Sequence, residues 1–244
     1  MSEKKIKQIK EDLYQEYYDD DSVWRSEGII KDGKKQGKWF TYYEGKLCKE
    51  ETYENGELNG RCVSYYDYDK RLIREEGTYK KGVPVGEWLG WHANKDLNFK
   101  KCYTEDGKKD GVWLFYYHNN ALIRQESYDK GECCGDWIGY YHDNGKMKFK
   151  RTYRKGMLEG EWLTYRHNGN LEERGTYKNG KKVGVWENFG KNGELINKFV
   201  YNKDGVEITG SEPDNAGGKI VEWARFQVED GKLVRSIVSN SKGR

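Results

Sequence analysis

Apolar and polar residues alternate along most of the chain in short runs, and the runs come in pairs. The segment "GVWLFYYHNNALIRQESYDKG" holds two such runs, rich in aromatic and aliphatic types, with turn residues between them. Paired runs of this kind predict a β-hairpin. The turns read "DNG", "HNG" and "KNG", where Asn and Gly readily take a positive φ.

The pattern repeats. A glycine falls at 37, 60, 86, 111, 135, 160 and 184, and a second glycine stands four residues before each of these. Two residues after comes Trp39, Cys62, Trp88, Trp113, Trp137, Trp162 or Trp186. Each unit later carries a Leu or Met and closes on a Tyr: Tyr53, Tyr79, Tyr103, Tyr128, Tyr153, Tyr177 and Tyr201. A partial unit precedes them, since "YYDDDSVWRSEGIIKDG" shadows "YYDYDKRLIREEGTYKKG". Isolated hairpins are marginal, and stacking edge to edge sums their stability over neighbours. The expected fold is mainly all-β: an elongated single-sheet meander of seven to eight hairpin repeats over residues 18–205.

The ends need caps. Ile6, Ile9, Leu13 and Tyr17 recur at helical spacing, which predicts a short capping helix within residues 1–17. After Gly205 the repeat fails. Residues 206–244 then read as a loop, "GSEPDNAGG", and a capping hairpin turned at Asp230-Gly231. Alternation assigns Phe40, Val63, Leu89, Leu114, Ile138 and Leu163 to a core face. The other face carries the Trp, beside small residues over which an indole can lie. It serves packing or lines a binding groove.

These units, "GKKQGKWFTYYEGKLCKEETYENG" among them, resemble MORN repeats, most closely the bacterial variant in which G-x-W-x2-Y-Y precedes a turn and a Leu. The resemblance implies a hairpin ribbon used for binding, with no catalytic residues. Eukaryotic members are linked to protein assembly and to acidic lipids, and bacterial relatives are often labelled antitoxin-like. Cys62 in place of Trp departs from the pattern and implies local repacking.

Composition narrows the function. Only 35% of residues are hydrophobic and 35% are charged, yet 20 Tyr, 9 Trp and 7 Phe argue for a thin aromatic core rather than disorder. Net charge is +3, too near neutral for a dedicated nucleic-acid binder. Five cysteines without a CxxC are no disulfide framework, which points to the cytoplasm. The N-terminus shows no signal peptide, and no run has the apolar length of a membrane span.

Candidate chemistry is sparse. His92, His118, His142 and His167 follow the unit tyrosines, but equivalent positions lie two strands, about 9–10 Å, apart, too far to share a metal. Cys133-Cys134 lacks a second ligand pair. No catalytic motif occurs, so the chain is expected to be no enzyme and to need no cofactor or metal. Three residues before the closing Tyr stand Glu50, Glu76, Lys100, Gln125, Lys150, Arg174 and Lys198, a ladder acidic at the front and basic behind. Partner-binding candidates are Lys100, Lys148, Lys150, Arg151, Arg174, Lys198, Tyr117 and Tyr141. They suit docking of another protein, with inhibition as one outcome. Alternatives are a nucleic acid, a nucleic-acid-processing effector, or an acidic lipid surface. Reversing Lys150 and Arg174 to Glu is expected to weaken docking without lowering the melting temperature.

Overall fold

The structure is a computed structural model describing residues 4–18, 24–66, 69–213, 220–229 and 232–236. These residues form twenty-two β-strands and no helix. The chain divides into two units, Met1–Leu122 with Tyr128–Gly131, and Ile123–Ser127 with Glu132–Arg244.

The first unit contains β1 (Lys4–Lys10), β2 (Leu13–Tyr18), β3 (Trp24–Lys31), β4 (Lys34–Tyr43), β5 (Lys46–Glu54), β6 (Glu57–Leu58), β7 (Gly60–Tyr66), β8 (Asp69–Lys80), β9 (Val83–Trp91), β10 (Leu97–Tyr103) and β11 (Gly111–Tyr116). Strand β12 (Leu122–Asp129) straddles the division. The second unit contains β13 (Glu132–Cys133), β14 (Gly135–Tyr140), β15 (Met147–Arg154), β16 (Met157–Tyr165), β17 (Leu171–Lys178), β18 (Lys181–Phe189), β19 (Leu195–Tyr201), β20 (Glu207–Pro213), β21 (Ile220–Glu229) and β22 (Lys232–Ser236). Within each unit successive strands pair antiparallel as a meander, for example Trp39↔Glu51 and Leu163↔Arg174.

The paired glycines have separate tasks. The first sits in a two-residue reverse turn, as at Asp32-Gly33 (φ 51 and 72), whose twist matches the strands it joins. The second is a bulge. Gly28 pairs with Trp39 but Ile29 with Gln36, so Gly37 (φ 64) and Lys38 are extra residues on their strand. The bulge sets the following Trp over the neighbouring strand.

The N-terminal expectation is overturned: residues 4–10 and 13–18 form strands β1 and β2, not a capping helix. Chain reversal at Glu11-Asp12 (Asp12 φ 59) lets β2 pair with β3 from Leu13↔Ile29 to Tyr17↔Arg25. The edge of β3 on one side and β1 on the other give β2 ladder partners for its backbone groups, and this outweighs the helical spacing of four apolar residues. At the other end Gly210–Pro213, read as loop, belongs to β20. The proposed turn residues Asp230 and Gly231 lie outside the described residues, though Glu229↔Lys232 pair across them.

The core also lies on the other face from the one expected. Trp39 and Trp186 are 1% exposed, and Trp88, Trp113 and Tyr128 are buried. On the opposite face Phe40, Leu89, Leu114, Ile138 and Leu163 are only half-buried, with Val63 the fully buried exception. The indole is the larger apolar body, and it gains cover that an aliphatic residue cannot reach. Trp39, Trp88 and Trp186 lie over the cross-strand glycines Gly28, Gly77 and Gly175, and the indoles are flanked by the closing tyrosines. In the second unit the chain Trp162, Tyr177, Trp186 and Tyr201 runs at ring separations of 5.3, 5.0 and 6.3 Å. Trp39, Trp113, Trp137 and Trp186 also donate Nε1–H to a carbonyl of the strand beneath.

Candidate binding faces and groove

Strands β3, β4, β5 and β7 give the tryptophan face of the first unit three rows. The lowest holds Gly28, Trp39, Glu51 and Cys62. Above it come Ser26, Thr41, Lys49 and Ser64, then Trp24, Tyr43 and Tyr66. Apart from Lys49 the middle row is built of short side chains, with Ser26 Oγ and Thr41 Oγ1 2.9 Å apart, so it leaves a floor below its neighbours. Trp24 and Tyr43 stand as one wall, ring centroids 4.7 Å apart, and Tyr66 donates its hydroxyl to Trp91 O at 2.8 Å. Between them lies an open groove of about 660 Å³, with Lys49 and Arg74 on its border. Trp24 remains 46% exposed.

Charge in the groove is anchored. Burial by itself would lower the Lys49 pKa, but the Glu51 carboxylate 2.6 Å away raises it, so the ammonium stays charged. Cys62 occupies a tryptophan position, and burial pushes its thiol up to about 11, which leaves it protonated and inert at neutral pH. Burial, then Glu51, also raises Tyr53.

On the tryptophan face of the second unit, Arg151 follows Phe149 on β15 and pairs with Trp162 of β16. Its guanidinium carbon lies 4.6 Å from the Phe149 ring centroid and 4.3 Å from that of Trp162.

The other face carries the ladder. In the first unit the rungs run Phe40, Glu50, Val63, Glu76, Leu89, Lys100 and Leu114, alternating apolar and charged. In the second, Gln125, Ile138, Lys150, Leu163 and Arg174 alternate polar and apolar, and the row then runs on through two more charged rungs, Glu187 and Lys198. Charged rungs meet partners of opposite sign on neighbouring strands. Lys100 pairs with Glu87, and Arg61 with Glu76 at 2.5 Å. Lys150 lies between Asp136 at 3.2 Å and Glu161 at 3.0 Å, and Arg174 meets Glu187 at 2.5 Å.

The structure therefore does not gather the eight sequence candidates. Lys100 and Tyr117 belong to the first unit and the other six to the second. Lys100, Lys150, Arg174 and Lys198 stand on the ladder face, whereas Arg151, Tyr117 and Tyr141 belong to the tryptophan face. Lys148 falls in a bulge, 5.7 Å from the Tyr141 ring, and Tyr141 donates its hydroxyl to Tyr165 O at 2.7 Å.

The histidines belong to a laced turn edge. His92 donates from Nε2 to Tyr116 O at 2.9 Å, and His167 pairs with Asp143. Asn144 and Asn168 donate side-chain N–H groups to His167 O at 2.8 Å and Lys191 O at 3.1 Å in the following turns. Among the described residues no His, Cys, Asp or Glu group converges as a metal site, and the Cys133 and Cys134 backbones join neighbouring strands through Gly156 N and Ser127 O.

Sequence reasoning allowed a groove on the tryptophan face but did not place it beside Trp24. Its signal was Trp24, which stands outside both aromatic columns of the repeat, beside a row of Ser and Thr. No curated protein matches the chain. Residues 109–130, 140–155 and 158–179 match the MORN repeat variant family, so these three segments are similar to MORN repeats.

Proposed function

We propose that the chain is a non-enzymatic protein-binding module that receives an extended segment of a partner protein in the groove beside Trp24. The carrying observation is that groove: exposed Trp24 beside half-buried Tyr43 over a floor of Ser and Thr, with Lys49 held charged beside them. Exposed Trp and Tyr are the side chains that most often anchor interfaces. MORN repeats themselves suggest a repeat-based binding module. Where the bound segment belongs to the working surface of an effector, docking inhibits it, which is the antitoxin-like form of this function. The cytoplasm is the setting we favour, on the five cysteines without a CxxC. A nucleic-acid role gains nothing from the ladder, whose basic rungs Lys100, Lys150 and Arg174 already face carboxylates.

The test is quantitative capture from the source cell with the immobilised wild-type chain, the Trp24→Ala/Tyr43→Ala variant and, as control, Val185→Ala. A protein retained by wild type and control but lost from the groove variant supports the reading. Equal retention by all three removes it.

A further inference from the structure

Five cations of the tryptophan faces meet carboxylates, and Lys109, over Trp113 and Tyr128, donates to the Tyr128 hydroxyl at 3.2 Å. Lys35 reaches Glu16, Lys49 reaches Glu51, Arg124 reaches Glu126, Arg166 reaches Glu172 and Lys182 reaches Glu173. Arg151 differs. It makes no hydrogen bond or ion pair among the described residues, and its Nε is buried without a partner. Packing on Phe149 and Trp162 supplies cation–π attraction and removes water from the group, but fills none of its N–H donors. A partly desolvated guanidinium held in place by rings is an unfilled fork for a planar anion.

We propose that Arg151 is the receptor for a carboxylate side chain carried on an extended acidic segment of a partner protein. Charge complementarity selects the partner, and two neighbours select carboxylate over phosphate. Trp162 Nε1 already donates to Glu173 Oε2 at 2.8 Å, so one carboxylate lies along the same indole. A second single charge is tolerated near it better than a dianionic phosphate. The half-buried rings of Phe149 and Trp162 give the rest of an extended peptide apolar cover, which free phosphate cannot use. The proposal deepens the protein-binding reading at a second site and rests on it only for the class of partner. It is tested without that partner.

The probe is a dye-labelled peptide of alternating Glu and Val, followed by fluorescence anisotropy, beside its Lys-for-Glu counterpart. Wild type is expected to bind the Glu peptide, more weakly as salt rises. Arg151→Gln should lose affinity by about tenfold or more. Arg151→Lys keeps the charge and much of the ring contact but not the fork, and should lose about threefold or more. Trp24→Ala/Tyr43→Ala should bind as wild type does, so failure of the groove and failure of this site are distinguishable. Melting temperatures close to wild type show that the variants are folded, and Arg151→Lys carries the test should Arg151→Gln unfold. Absence of Glu-peptide binding at low salt, equal binding of the Lys peptide, or equal affinity in the Arg151 variants would each overturn the proposal. So would displacement of the peptide by pyrophosphate at lower concentration than by free glutamate, which assigns the fork to phosphate.

Discussion

Replacing Gly175 with Ala tests the idea that this fold is held by indoles lying on bare backbone. Gly175 has no positive φ to excuse it, so any cost must come from contact. A Cβ there would stand 2.1 Å and 2.2 Å from Cδ2 and Cε2 of Trp186. Carbon contacts settle at about 3.5–4.0 Å, so the ring must move by more than about 1 Å. Trp186 is 1% exposed, lies 5.0 Å from Tyr177 and 6.3 Å from Tyr201, and is covered by Lys182 Nζ at 3.8 Å. Overpacking of this kind costs ~1–3 kcal/mol. The 3.2 Å bond from Trp186 Nε1 to Thr176 O goes with it, at ~1 kcal/mol. Relief of glycine's entropy returns ~0.5–1 kcal/mol. The net expectation is a loss of ~2–3 kcal/mol.

A double-mutant cycle isolates the contact. Trp186→Ala alone should cost ~3–5 kcal/mol. In that background Gly175→Ala should be neutral within ~0.5 kcal/mol, giving a coupling of ~2 kcal/mol. The assay is urea denaturation followed by far-UV circular dichroism. Repeat arrays can unfold in stages, so amide hydrogen exchange of β18 and β19 provides the local measure. Equal cost of Gly175→Ala in both backgrounds, or no cost in wild type, would refute the reasoning.

Three further outcomes are expected. Lys150→Glu sets a third carboxylate beside Asp136 and Glu161, so thermal melting should show a loss of ~1–2 kcal/mol, against the sequence-based expectation of an unchanged melting temperature; an unchanged value would show that the ladder pairs contribute nothing. Asn168→Ala removes the bonds to Lys191 O and from Asn170 N and should cost ~1 kcal/mol in urea denaturation, whereas the nearby exposed Lys191→Ala, which keeps both backbone partners, should be within ~0.5 kcal/mol of wild type. Burial raises Cys62 from 9.0 to about 11 and, with its Glu50 bond, Tyr65 from 10.0 to about 12. Folding favours their protonated forms, so this stability is whole below pH 9 and is lost as pH climbs through the folded values; a melting temperature that stays flat up to pH 11 contradicts it.

Period and hairpin were legible because they are local. Each unit states its turn in Asn, Asp and Gly and its strands in alternation, and seven copies remove the ambiguity of one. Which face forms the core was not legible from alternation alone. Both faces carry apolar residues, and the choice depends on a bulge at the second glycine that swings the Trp onto the next strand. The N-terminal segment misled for a related reason. Ile6, Ile9, Leu13 and Tyr17 fit a helix in isolation, but β3 offers an edge that no sequence window contains. The ladder was foreseen as a row, and each unit carries its own rungs of it in register. Its neutralisation was not foreseen, because Glu87, Asp136, Glu161 and Glu187 lie on adjacent strands, 11 to 14 residues from the cations they meet.

The contacts that hold the fold and the proposed binding features occupy different rows of the same strands. The Trp and Tyr rows beside the bulge do the holding, and they repeat with little change because every copy must cover the same backbone. The row above is released from that duty and varies. At Gly90 and Gly139 an added Cβ would strike Phe99 and Phe149 at 2.3 Å, so there the row is filled by a ring laid on glycine. At Thr41 and Ser64 no ring is laid down, and the row stays open as the groove below Trp24. At Phe149 the filled row becomes the seat of Arg151. One column of residues thus decides, hairpin by hairpin, between flat cover, an open groove and a cationic seat. Substitution there, Ser64→Phe for instance, should close the groove while the Trp and Tyr rows beneath keep their contacts. On the proposed reading, binding specificity is set in this column and changes without rebuilding the core.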